Sequence, residues 1–105
     1  MTIIQLFFGQ DIGGKEALSK HAWNAFLRDA VTPRFPDGFT VFDSYGQWRA
    51  PDAKKIGRER SKMIEIAAVD TPEMRKNVEE LASLYRARFH QQSVGIVTMP
   101  GCGAF

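Results

Sequence analysis

Four runs that favour extended chain and two that favour helix follow one another in the order β-α-β-β-α-β. This order restricts the fold more than any other property of the sequence. Residues 3–8 read Ile-Ile-Gln-Leu-Phe-Phe, a short β-branched and aromatic run closed by Gly9, which is a strand pattern. A period of two puts Ile4, Leu6 and Phe8 on one face and Ile3, Gln5 and Phe7 on the other. Both faces are largely apolar, so both are expected to be covered. Residues 9–14 carry glycine at 9, 13 and 14 and read as a loop, with spacing unlike that of a dinucleotide-binding turn.

Ser19 is placed to cap a first helix, on which Trp23, Phe26, Leu27 and Ala30 form one apolar stripe. Pro33 and Pro36 predict that this helix ends near Val31 or kinks into a final turn, before the Asp37-Gly38 turn. Phe39 to Arg49 favours a second strand, Ala50 to Gly57 a hairpin loop, and Arg58 to Val69 a third strand. On that third strand Ile64, Ile66 and Ala68 share one face, and Met63, Glu65 and Ala67 the other. Thr71-Pro72-Glu73 joins an N-cap, a proline at the first helical position and an acid at the positive end of the helix dipole. Met74, Val78, Leu81, Tyr85 and Phe89 give this second helix its apolar stripe, while Lys76, Glu79, Glu80, Ser83 and Arg86 are left to solvent. Gln91-Gln92 ends it, Ser93 to Met99 is a last strand, and residues 99–105 are expected as an irregular tail.

Two right-handed β-α-β crossovers joined by a hairpin predict an α+β, ferredoxin-like domain over residues 1–105. In it, a four-stranded antiparallel sheet carries two helices on one face. The other face would then be bare, and a bare face bearing Phe and Met recruits a partner or a ligand. A homodimer or higher homo-oligomer built on that face is the expected assembly. Length allows one core: 105 residues, 44% hydrophobic and 25% charged, match an ordinary globular domain. A net charge of +2 and the lack of Lys/Arg-Gly-Phe-type signatures argue against nucleic acid as partner. No apolar stretch is long enough to span a membrane, and the start lacks a secretory signal pattern, so the cytoplasm is the expected location.

Residues 49–62 gather Arg49, Lys54, Lys55, Arg58, Arg60 and Lys62 against Asp52 and Glu59, which reads either as an anion site or as a solvated, lysine-protected edge. Arg58 and Arg60 alternate with Glu59 and Ser61, so the two pairs point to opposite faces. Asp43 on the preceding strand is a candidate partner for such an arginine, because an unpaired buried charge is costly. Trp48 offers a flat apolar surface with a donor at its edge, for stacking on a planar ligand or for anchoring an interface. His21 and His90 are not at metal-ligand spacing, and His90 at a helix C-terminus is explained by the dipole. Neither a metal nor a cofactor is expected. Cys102, between two glycines, reads as a small residue in a docked or frayed tail rather than as a nucleophile.

Leu6-Phe7-Phe8-Gly9, Trp23 with Phe26-Leu27, and Thr32-Pro33-Arg34-Phe35-Pro36-Asp37-Gly38 resemble a bacterial family known as domain of unknown function 3574. The likeness continues through Gly46-Gln47-Trp48-Arg49, Arg58-Glu59-Arg60-Ser61-Lys62, Tyr85 to Phe89, Gln92-Ser93-Val94 and the Gly-Cys-Gly tail. The resemblance implies a small single-domain bacterial protein and brings no activity, cofactor or catalytic residue. Core packing does not require Arg34, Asp37, Gln47, Trp48, Arg58, Glu59 or Ser61 to be those types, and the loop after the first helix is expected to converge with the hairpin mouth. The sequence-based site is therefore Arg34, Asp43, Gln47, Trp48, Arg58, Glu59, Arg60 and Ser61. It is expected to bind a small anionic or planar ligand, with Arg58 or Arg60 holding the anion and Glu59 or Asp43 as the general base. The rival expectation is a structural module whose sheet face is an oligomer interface and nothing more.

Overall fold

A computed structural model describes residues 1–13 and 15–105. Strand β1 (Thr2–Gly9) lies inside a four-stranded sheet in the order β4-β5-β1-β6, with β4 (Thr40–Trp48), β5 (Gly57–Ala68) and β6 (Gly95–Pro100). Every pairing in it is antiparallel. Leu6 sits between Ile64 of β5 and Ile96 of β6, and Val41 of β4 faces Ile64. The architecture is α+β, as the order of periodicities predicts. The β4–β5 hairpin is long: nine register pairs run from Thr40↔Glu65 to Trp48↔Gly57.

Helix α1 (Lys20–Phe26) starts where Ser19 accepts a hydrogen bond from the Ala22 amide at 3.1 Å. The helix does not stop at Val31. It passes through a π turn (Leu27–Val31), closed by the Thr32 amide on the Leu27 carbonyl, into the short α2 (Thr32–Arg34). A proline ring clashes with the carbonyl four residues back, here that of Asp29, and the wider turn just before Pro33 gives it room. Helix α3 (Pro72–Phe89) begins at Thr71, whose hydroxyl accepts from the Met74 amide at 3.0 Å. It ends at His90, which takes a left-handed conformation with φ 53° and donates its amide to Arg86 O.

Both helices pack on the face of the sheet that carries Ile4, Leu6, Phe8, Ile64 and Ile66, all buried. Phe8 is the hub: its ring lies 5.5 Å from Trp23, 5.7 Å from Phe26 and 4.7 Å from Tyr85. Both predicted stripes are buried, except that Leu27 is half-buried. The opposite face bears Ile3, Phe7, Phe42, Met63, Val97 and Met99, with Phe7, Phe42, Val97 and Met99 exposed. Its polar centre is the Gln5 amide donating to Glu65 at 3.3 Å.

Three expectations change. The 9–14 loop contains a small hairpin, β2 (Asp11–Ile12) with β3 (Glu16–Ala17), because the chain folds back on itself and Leu18 donates to Gln10 O; Gly14 lies outside the described residues. The irregular tail does not begin at 99: Met99 and Pro100 extend β6 by pairing with Ile3 and Thr2. Glu80 stays off the buried stripe, its side chain 40% exposed, but gains a partner by ion-pairing with Arg34 at 3.2 Å. Among the described residues, no helix is long and apolar enough to cross a membrane.

Candidate functional site

Alternation along β5 sorts the signature residues onto two sides of the sheet. Lys62 pairs with Phe8 of β1, on the helix-covered side, so Arg58 and Arg60 project to that side too. Glu59 and Ser61 project to the open side, as do Ser44 and Trp48 of β4. The basic residues and the glutamate therefore belong to different sites.

On the open side a cleft of about 500 Å³ is lined by Phe7, Asp11, Trp48, Glu59, Ser61 and His90, among others. The carboxylate of Glu59 accepts the Asp11 amide at 2.8 Å. Burial raises its pKa above the ordinary 4.5, the nearby Asp11 charge adds to the rise, and the Asp11 amide partly offsets it. The segment Gly9–Asp11 is held from beneath. The Tyr85 hydroxyl donates to Gly9 O, and the side chain of buried Gln10 donates to Phe8 O at 3.0 Å and to the Tyr85 hydroxyl at 3.2 Å. Burial, and secondarily the Glu59 charge, hold the Tyr85 phenol protonated far above its ordinary range, so it acts as a fixed donor. From α3's end, Gln91 donates to Asp11 O. Ser44 and Ser61 share a hydroxyl–hydroxyl bond at 2.8 Å beside this network.

Two glycines of this site leave room for a neighbouring side chain to approach closely. A Cβ on Gly57 would lie 3.0 Å from the Trp48 indole, which folds over that position. A Cβ on Gly9 would lie 2.6 Å from Glu59 Oε1 and 2.8 Å from Gln91 Oε1. Gly9→Ala is expected to keep the fold, because both obstacles are flexible side-chain ends, while pushing Glu59 off the Asp11 amide. The Glu59 carboxyl, followed by ¹³C NMR, should then titrate closer to its ordinary value. A titration identical to the wild type would show that Glu59 is not seated on Gly9.

Chemically, the open-side cleft joins a partly dehydrated carboxylate to a flat aromatic wall. Among the described residues its lining holds no Lys or Arg. It suits a planar ligand that is cationic or rich in hydroxyl donors rather than an anion. Of the eight sequence-based residues, Trp48, Glu59 and Ser61 meet here. Arg58 and Gln47 instead hydrogen-bond to each other at 3.1 Å on the helix side of the hairpin. Asp43 corrects two expectations. It binds Lys62 rather than an arginine, and that hydrogen bond and charge lower its pKa, which makes it a poorer proton acceptor than Glu59. Arg34 lines neither side of the hairpin: it is held by Glu80 and by Ala30 O at 2.9 Å, and Asp37 is exposed in its turn. The expected convergence of this loop with the hairpin mouth is thus not found.

Asp11, His90 and Gln91 were not singled out for this site by sequence reasoning. Glycine density near Asp11 was the only local signal; His90 and Gln91 lie some 80 positions away and arrive only because α3 ends beside β1. Cys102 is exposed, and Gly101 ties the tail to Met1 O at 3.0 Å. A separate groove of about 460 Å³ between α3 and β6 contains none of the sequence-based residues. Among the described residues, no group of three or more His, Cys, Asp or Glu is arranged to hold a metal.

A family described as "Protein of unknown function (DUF3574)" matches residues 4–105. No curated protein matches the chain. Among solved structures, a phage SAM lyase in complex with S-methyl-5'-thioadenosine superposes with a TM-score of 0.70 at 17% identity, covering 93% of this chain and 79% of that one. The apo form of a phage SAM lyase gives a TM-score of 0.68 at 17% identity, over 93% and 78% of the two chains. At such identity the likeness is one of fold.

Proposed function

We propose that this chain, which belongs to the DUF3574 family, binds a planar small molecule of the adenosine-thioether or sulfonium class in the open-side cleft. The observation that carries this reading is the partly dehydrated Glu59 carboxylate in one cleft with the exposed Trp48 face. Trp48 stacks the purine, and Glu59 accepts from ribose hydroxyls or faces a positive sulfur. Glu59 is also the proton acceptor in any reaction run here, since its raised pKa brings it closer to neutrality. The ligand named with the phage SAM lyase of the same fold supports the choice of class. We read the strand order and crossovers as ferredoxin-like, with the apolar open face covered by a second copy of the chain. That copy closes the cleft.

Native mass spectrometry of freshly purified protein, before and after adding S-methyl-5'-thioadenosine or S-adenosylmethionine, tests the reading. A dimer or larger species retaining one ligand per subunit is expected. Trp48→Ala, at an exposed position, should weaken retention about tenfold without unfolding, given the usual value of base–aromatic stacking. An assembly that retains neither compound would overturn the ligand class. It would favour the second reading, in which Phe7, Phe42, Val97 and Met99 form an oligomer interface and nothing more. A bare monomer would remove the covering of the open face.

A further inference from the structure

The helix-covered side of the β4–β5 hairpin carries a second cleft, of about 660 Å³, between the hairpin and α1. Its polar lining is Lys20, Asn24, Asp43, Arg60 and Lys62, joined by Gln10 and the two serines of the hairpin. Beneath these lie Leu18, Trp23, Leu27 and Val41. We propose that this cleft is a site for a small organic anion. Its carboxylate or phosphate is held by Lys20, Arg60 and Lys62, and its apolar part rests on Trp23, Leu27 and Val41.

Charge and placement carry the inference. Three cations meet one carboxylate, Asp43, which Lys62 already occupies. The fields of Arg60 and Lys20 reach the same carboxylate, so the three cations share one small region. Neither Lys20 nor Arg60 forms an ion pair among the described residues. An Arg fork beside two ammonium groups matches an oxyanion, and the Asn24 amide adds a neutral donor. The apolar floor favours an organic anion over a bare inorganic one. The charged groups of this site and of the open-side cleft stand on opposite sides of β5, with Ser61 at the border lining both, and the two linings have opposite charge. An anion is thereby refused on the side of Glu59 and accepted on the side of Arg60.

Phenyl phosphate and benzoate are suitable probes, titrated at physiological salt and followed by amide NMR shifts and calorimetry. Saturable binding is expected, with shifts centred on Trp23, Asn24 and Val41 rather than on Gly9 and Trp48. Tighter binding of phenyl phosphate assigns the site to phosphate esters, and tighter benzoate assigns it to carboxylates. Arg60→Gln and Lys20→Gln, both at exposed positions, should each weaken binding by about tenfold, the usual effect of losing a charge-assisted hydrogen bond. Lys76→Gln, which removes a cation of α3 that does not line this cleft, should leave it unchanged. No saturation by either probe at about 10 mM, or shifts centred on the open-side cleft, would overturn the proposal. So would unchanged affinity in Arg60→Gln whose circular dichroism matches the wild type.

Discussion

Glu59→Gln should weaken binding of S-adenosylmethionine 10- to 100-fold, the usual loss when a charged hydrogen-bonding partner is made neutral. It should also leave the protein at least as stable as the wild type at neutral pH. The two effects share one cause. The amide oxygen can still accept the Asp11 N–H, so local geometry is kept. What disappears is a charge that burial disfavours. Because the folded-state pKa of Glu59 lies above its unfolded value, the folded chain holds this proton more tightly than the unfolded chain does. Stability from the group is therefore fully present in acid and is lost as pH rises from about the ordinary 4.5 through the raised folded value. The variant escapes that loss. Denaturation midpoints measured across pH should coincide at the acid end and separate in the variant's favour above it. S-methyl-5'-thioadenosine, which is neutral at sulfur, should lose less affinity than S-adenosylmethionine. Equal losses would show that Glu59 addresses the hydroxyls alone, and a destabilised variant would show that the carboxylate is structural.

Phe8→Ala should cost about 3–5 kcal/mol, within reach of the whole stability of a small domain. Phe8 is fully buried and touches the rings of both helices through Trp23, Phe26 and Tyr85. No neighbouring element can collapse into the space, because the ring stands between the sheet and two helices fixed by their own caps. A fall in melting temperature of about 15 °C or more is expected. Phe7→Ala, one residue earlier, should cost well under half as much at protein concentrations low enough to keep the chain monomeric, since within one subunit Phe7 stands on the open side and is 37% exposed. Thermal melts of the pair compare the two faces of β1 directly. A cost for Phe7→Ala that rises with protein concentration towards that of Phe8→Ala is the result expected if a second copy covers the open face. A larger cost for Phe7 would contradict the assignment of the faces.

The four main strands, the two helices and the starts of those helices were legible because they rest on local physics. Thr71 and Ser19 cap with their own hydroxyls, Pro72 suits a first helical turn, and the stripe from Met74 to Phe89 needs a helix to meet. The division of Arg58 and Arg60 from Glu59 and Ser61 was equally legible, since a strand's period of two is intrinsic to its backbone. The side taken by each pair was not. Ile3, Gln5 and Phe7 are nearly as apolar as Ile4, Leu6 and Phe8, so hydrophobicity alone could not say which row faces the helices. Register decided it, by setting Lys62 opposite Phe8 and Asp43 opposite Lys62. The Glu59 site likewise exists only in three dimensions. Its amide comes from Asp11, 48 positions away, and Gln91 reaches across 80 positions to hold that segment. Short-range pattern determined what the pieces of this chain are. Their pairing, which depends on contacts between residues far apart in sequence, decided that cations and carboxylate stand on opposite sides of one strand.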